Sequence, residues 1–152
     1  MDQRRPAVRA VVDTNVVAYF LLGTRPFLEE ARQFWEAVGE VSAPAVWEAE
    51  LANLVWMAIR NGILEAEDGA KRLDVAGRLG IRSVPSRTLW QGALSRAVES
   101  GLAVYDTLFV ELARRQRLPL ATFDSGTKPN PATSEAEALR HLDEAPKTCP
   151  GS

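Results

Sequence analysis

Four acidic positions in the chain could bring carboxylates together. Asp13 ends the run Val8-Arg9-Ala10-Val11-Val12 and is followed by the polar pair Thr14-Asn15. Asp124 ends Leu118-Pro119-Leu120-Ala121-Thr122-Phe123 in the same manner. Asp106 lies one helical turn from Phe109 and Val110 and two from Ala113, so it shares a face with apolar residues. The fourth acid is Glu48 or Glu50, both carried by the amphipathic stretch from Ala45 to Arg60. At about 100° per residue these two lie roughly 200° apart, so one site takes one of them, and the apolar stripe does not choose. Asp is also a favoured helix N-cap, which alone would explain Asp13. The recurrence of acids at strand ends is what capping does not explain.

Converging carboxylates repel one another unless protonated or neutralised. A hard divalent cation, Mg²⁺ or Mn²⁺, takes oxygen ligands and relieves that repulsion. Other schemes lack their parts. The one histidine, His141, lies in the tail, which disfavours Ser-His-Asp and Cys-His chemistry. Neither a P-loop nor a dinucleotide fingerprint occurs, and the one cysteine, Cys149, has no partner for a disulfide or a zinc site. What remains is metal chemistry on oxygen ligands, which activates water for attack at phosphorus without a protein base.

The elements that must position these acids alternate. A strand at Val8 to Val12 leads to a helix through Val16 to Leu22, and a second helix follows Pro26 up to Gly39. A short strand from Val41 to Ala43 precedes the helix from Ala45 to Arg60, whose Trp56 projects off the apolar stripe and is expected to pack on the next helix. That next helix spans Glu65 to Leu79. A strand from Ile81 to Val84, a helix from Ser86 to Gly101, the helix bearing Asp106 as far as Gln116, and a strand from Leu118 to Phe123 complete the pattern. Such alternation predicts an α/β fold: a central, mostly parallel sheet of about four strands, flanked by helices in three layers. In open parallel sheets, ligands gather at the carboxyl ends of the strands.

The 152 residues, 46% hydrophobic and 25% charged, suit one domain over 1–145 with a disordered tail at 146–152. A breaker cluster, Ser125 to Pro131, follows Asp124, and Ser134 with Glu137 forms a capping box for a short tail helix. No apolar run approaches the roughly 18 residues that span a bilayer, and cysteine usage fits a reducing cytoplasm. The net charge of −2 gives no bulk attraction to nucleic acid. Local arginine clusters at Arg4, Arg5 and Arg9, at Arg78, Arg82 and Arg87, and at Arg114, Arg115 and Arg117 could still meet phosphates.

Three segments together resemble a PIN-domain ribonuclease, and in size and layout a VapC-type toxin of a toxin–antitoxin pair. They are Val11-Val12-Asp13-Thr14-Asn15, Ala43 to Asn53, and Tyr105-Asp106 with Leu118 to Asp124. The resemblance implies Glu50 rather than Glu48, since the family pattern has an acid three residues before an asparagine, here Asn53. It implies that Asp13, Glu50, Asp106 and Asp124 hold Mg²⁺ or Mn²⁺, with Thr14, Asn15, Asn53 and Thr122 orienting them. It further implies cleavage of single-stranded or looped RNA to a 5′-phosphate and a 3′-hydroxyl, a homodimer, and a small antitoxin protein as inhibitor. Candidate contact surfaces are Phe20, Leu21, Trp35 and Trp56. Two other readings compete: a catalytically degenerate PIN-like module that binds RNA or protein, and a receiver-like signalling domain. The latter is disfavoured because it needs paired acids ahead of its phosphorylated aspartate and a lysine on a late strand.

Overall fold

Strand β1 (Val8–Val12) is apolar because it is covered on both sides: Ala10, Val11 and Val12 are fully buried. The computed structural model describes residues 8–25 and 27–123. Asp124, the capping box at Ser134 and Glu137 and the tail expected at 146–152 lie outside them. Around β1 stand β2 (Val38–Pro44), β3 (Ile81–Val84) and β4 (Leu120–Ala121), in the order β3-β2-β1-β4 with every pairing parallel. The expected α/β architecture is the one observed.

Strand order sets the helical layers. The chain steps from β1 to β2 through α1 (Thr14–Leu22) and α2 (Leu28–Ala37), and from β2 to β3 through α3 (Val46–Arg60) and α4 (Ala66–Gly77). It then crosses back to β4 through a 3-10 turn at Ser86–Thr88, α5 (Trp90–Ser100) and α6 (Val104–Gln116). Right-handed crossovers in opposite directions put their helices on opposite faces. Accordingly α1 packs with α2, α3 and α4, while α5 packs with α6, which lies on β1, β2 and β4. Among the described residues no helix is long and apolar enough to cross a membrane.

Three expectations are corrected. Strand β2 starts at Val38, not Val41: Gly39, read as a helix stop, is taken into the strand at a register irregularity between the Val8–Val38 and Arg9–Glu40 pairings. The ladder of β4 covers two residues rather than Leu118 to Phe123, although Val11 N–H still donates to Pro119 O (3.0 Å) and Asp13 N–H to Ala121 O (2.9 Å). Trp56 is not covered by the next helix. It is 51% exposed, with the Arg60 guanidinium 5.3 Å above its ring. The reason is local: α4 approaches α3 through Gly69, where a Cβ would meet Ile59 Cδ1 at 2.8 Å and Val55 Cγ1 at 2.9 Å, and Trp56 is turned off that contact.

The pair α5 and α6 is locked by a charge. Glu111, 1% exposed, accepts from Arg96 Nε (2.8 Å), Arg115 Nε (2.8 Å) and Arg114 Nη2 (3.2 Å). Arg115 also donates to Thr88 O, tying in the 3-10 turn. Burial alone would raise the Glu111 pKa, but the three arginines outweigh it and hold the group at about 2. Thr107 adds a buried bond to Ala93 O (2.7 Å). The close fit requires a glycine opposite, because a Cβ at Gly92 would fall on the Glu111 carboxylate.

Two outcomes follow for urea unfolding. Gly92→Ala destabilises the chain, because the carboxylate it strikes is clamped and cannot swing away. Glu111→Gln costs about 3 kcal/mol at pH 7, as expected for opening a buried ion pair. Since the folded pKa lies below the ordinary 4.5, the carboxylate's contribution is complete above 4.5 and fades as pH falls toward about 2. The gap between wild type and Glu111→Gln therefore narrows over that window.

Candidate active site

The order β3-β2-β1-β4 makes the boundary between β1 and β4 the topological switch point, where an open parallel sheet leaves a crevice at its carboxyl edge. Asp13 follows β1 and Thr122 follows β4, so both stand on that edge. Thr122, 1% exposed, donates its hydroxyl to Asp13 Oδ2 at 2.7 Å. The same hydroxyl accepts from Asn15 Nδ2 (3.4 Å), whose Oδ1 in turn accepts from Phe123 N–H (3.3 Å). Asn15 thus fastens the end of β4 to the first turn of α1. Beside this fastening, Tyr19 and Phe27 stack at 4.9 Å, with Phe123 at 5.4 and 4.8 Å from them.

Asp13 occupies the N-cap position of α1 in extended backbone, yet its carboxylate closes no cap hydrogen bond. A formed cap hydrogen bond therefore does not account for it, although the first amides of α1 act on the carboxylate. Glu50 enters from α3, where Thr14 Oγ1 donates to its Oε1 at 2.9 Å. Glu48, on the other side of the same helix, accepts instead from Ser83 Oγ (2.6 Å), which also accepts from Trp47 Nε1 (2.8 Å). Asp106 comes from the first turn of α6. Asn53 is exposed and turns its amide to Met57 Sδ (3.7 Å), so it does not orient the acids as expected. Asp124 lies outside the described residues.

Electrostatics couples the three described acids. Burial raises the Asp13 pKa above its ordinary value, the Thr122 bond opposes this, and the Asp106 charge raises it further, while the nearby amides of Thr14 and Asn15 ease ionisation. Glu50 is raised by burial, lowered by Thr14, and raised again by the charges of Asp13 and Asp106. Two partly buried carboxylates are thus held where ionisation costs energy, with a third close enough to add to the cost. Among the described residues no three His, Cys, Asp or Glu side chains close on one point as a finished chelate. The donor chemistry nonetheless fits a hard cation: oxygen only, negative, and positioned by hydroxyls from behind.

The expected phosphate-binding arginines are placed elsewhere. Arg114 and Arg115 hold Glu111 at the last turn of α6, about 12 Å along the helix from Asp106. Arg9 pairs with Glu40 (2.7 Å) at the opposite end of β1 from Asp13, and Arg87 lies over the Trp90 ring at 5.6 Å. Sequence reasoning missed the Glu111 cluster, although arginines three and four residues after a glutamate were its visible sign.

Because the folded state raises the Asp13 pKa, the ionised form at pH 7 destabilises the fold. In EDTA at pH 7, Asp13→Asn should therefore melt above the wild type in scanning calorimetry. An equal or lower midpoint would show that the carboxylate is not held against its charge.

The family model described as PIN domain matches residues 10–128 of this chain. No curated protein matches it.

Proposed function

Since the chain belongs to the PIN-domain family, a nuclease fold, we propose that it is a Mg²⁺- or Mn²⁺-dependent endoribonuclease and the VapC-type toxin of a toxin–antitoxin pair, acting in the cytoplasm. The observation that supports this reading is that Asp13, Glu50 and Asp106, from three separate elements, act electrostatically on one another near the switch point of the sheet. Asp13 and Asp106 are the direct ligands of the cation, with Glu50 and Asp124 completing the acidic pocket. Bound there, the cation supplies an activated water and stabilises charge developing at phosphorus.

The chain's own residues do the positioning. Thr122 orients the Asp13 carboxylate, Thr14 orients Glu50, and Asn15 holds the Thr122 hydroxyl in place. Looped or single-stranded RNA would be cut to leave a 5′-phosphate and a 3′-hydroxyl. The inhibitor is a small antitoxin protein, and the active form is a homodimer. Of the surfaces considered for these contacts, Leu21 is buried and Phe20 packs on Trp35 (6.2 Å between centroids), which leaves Trp56 exposed. A second apolar face runs along α5 through Trp90, Leu94 and Val98, four residues apart and all exposed.

The test is cleavage of a transfer-RNA and loop-RNA panel by the partner-free chain with Mg²⁺ or Mn²⁺. Wild type is expected to yield metal-dependent fragments bearing 5′-phosphate, and Asp13→Asn and Asp106→Asn to yield none. Thr122→Val, which keeps the carboxylates but frees Asp13 to turn, should lose roughly 10- to 100-fold. Identical patterns from wild type and the aspartate variants would reject the site. Absence of divalent binding by calorimetry would leave a PIN-like binding module.

A further inference from the structure

A polar cavity of about 310 Å³ opens at the end of the sheet opposite the acids, lined by Arg9, Glu40, Ser42, Arg82 and Gln116 among others. Strand register explains its polarity. Arg9 pairs with Glu40, Val11 with Ser42, and Ser42 with Arg82. Partners across a parallel ladder project to the same face, and residues two apart on one strand do likewise. Arg9, Glu40, Ser42 and Arg82 therefore share one face of three adjacent strands. It is the α6 face, because Ser42 Oγ donates to Gln116 Oε1 at 2.8 Å.

That face is unroofed here for two reasons. Helix α6 reaches it only with its last residue, Gln116, before Arg117 turns the chain away in the left-handed region (φ 54°). The irregularity at Gly39 and the bare backbone of Gly80, where a Cβ would meet nothing within 4 Å, leave the floor open. The charges are unequal. Arg9 gives its Nε to Glu40 (2.7 Å), whereas the Arg82 side chain makes no hydrogen bond or ion pair among the described residues. Two guanidinium groups and one carboxylate leave the cavity with one surplus positive charge, carried by Arg82.

We infer that this cavity is an anion site that takes a phosphate group, with Arg82 as its principal ligand, Arg9 held in place by Glu40 as the second, and the Gln116 amide as a neutral donor. Guanidinium forks match phosphate oxygens in pairs, and the volume lies at the small end of ligand cavities. The site is about 13 Å along β1 from Asp13, separate from the carboxylates, and stands whether or not the chain cuts RNA. The phosphate could belong to a free anion or nucleotide, or to an RNA backbone.

The test titrates inorganic phosphate into the ¹⁵N-labelled full chain, with chloride at matched ionic strength as control. Saturable shifts are expected in the amides of residues 39–42, the Gln116 side chain and the Arg82 Nε–H. Arg82→Ala should weaken binding roughly tenfold or more, with an unchanged melting point showing that the fold is intact, and Arg82→Lys should retain part of the affinity. No saturable shift, or equal affinity in Arg82→Ala, overturns the proposal. A second arm adds single-stranded RNA in EDTA, where cleavage cannot interfere. Displacement of phosphate by RNA identifies a backbone phosphate as the ligand. Saturation by phosphate or a mononucleotide that RNA leaves unchanged identifies a small one.

Discussion

The hydrogen bond from the Thr122 hydroxyl to the Asp13 carboxylate spans the crevice between two parallel strands, and the rest of the candidate site is arranged about it. It joins residues 109 positions apart in sequence. Its donor is itself held by Asn15, so the hydroxyl has one proton to give and one direction in which to give it. This fixes a charge that burial opposes. Carboxylates so placed ionise at a cost, and a cation that neutralised them would relieve both their repulsion and part of that desolvation cost.

The Glu111 cluster does for the opposite end of α6 what Thr122 does for β1. Of the three guanidinium groups on this buried carboxylate, Arg114 and Arg115 belong to α6 itself, and Arg96 ties α6 to α5. Asp106 rides on the first turn of α6. The helix that carries this acid is thus tied to its neighbour by an ion cluster farther along its length.

Much of this was legible from residue pattern. The apolar run to Val12, the helix end at Gly101, the strand from Ile81 to Val84 and the amphipathic stretch from Ala45 to Arg60 each correspond to an observed element. Periodicity separated Glu48 from Glu50 by helical angle, and the two side chains do take different directions, toward Ser83 and Thr14. It could not say which faced the other acids, because that depends on how α3 is rotated against α1, a matter of packing. Asn53 was placed from a family pattern and is found facing Met57. Glu111 was not singled out: the two arginines that follow it mark a helical ion pair, but its burial shows only once Arg96, on another helix, is brought to it in space. Gly39 looked like a helix stop for the same kind of reason: local sequence does not reveal that a neighbouring strand will recruit it.

The strand order has a consequence for when the molecule becomes chemically complete. Strand β4 is the last described element to be synthesised, yet it inserts beside β1, the first. During translation at some 5–20 residues per second, α1 to α5 can emerge while the edge of β1 is still open and Asp13 lacks its hydroxyl partner. The carboxylate geometry therefore waits for β4. A nascent fragment ending before Thr122 would carry the acids that follow β1 and lie on α3 and α6 without the bond that aligns the first of them, so synthesis itself delays that alignment until β4 has emerged.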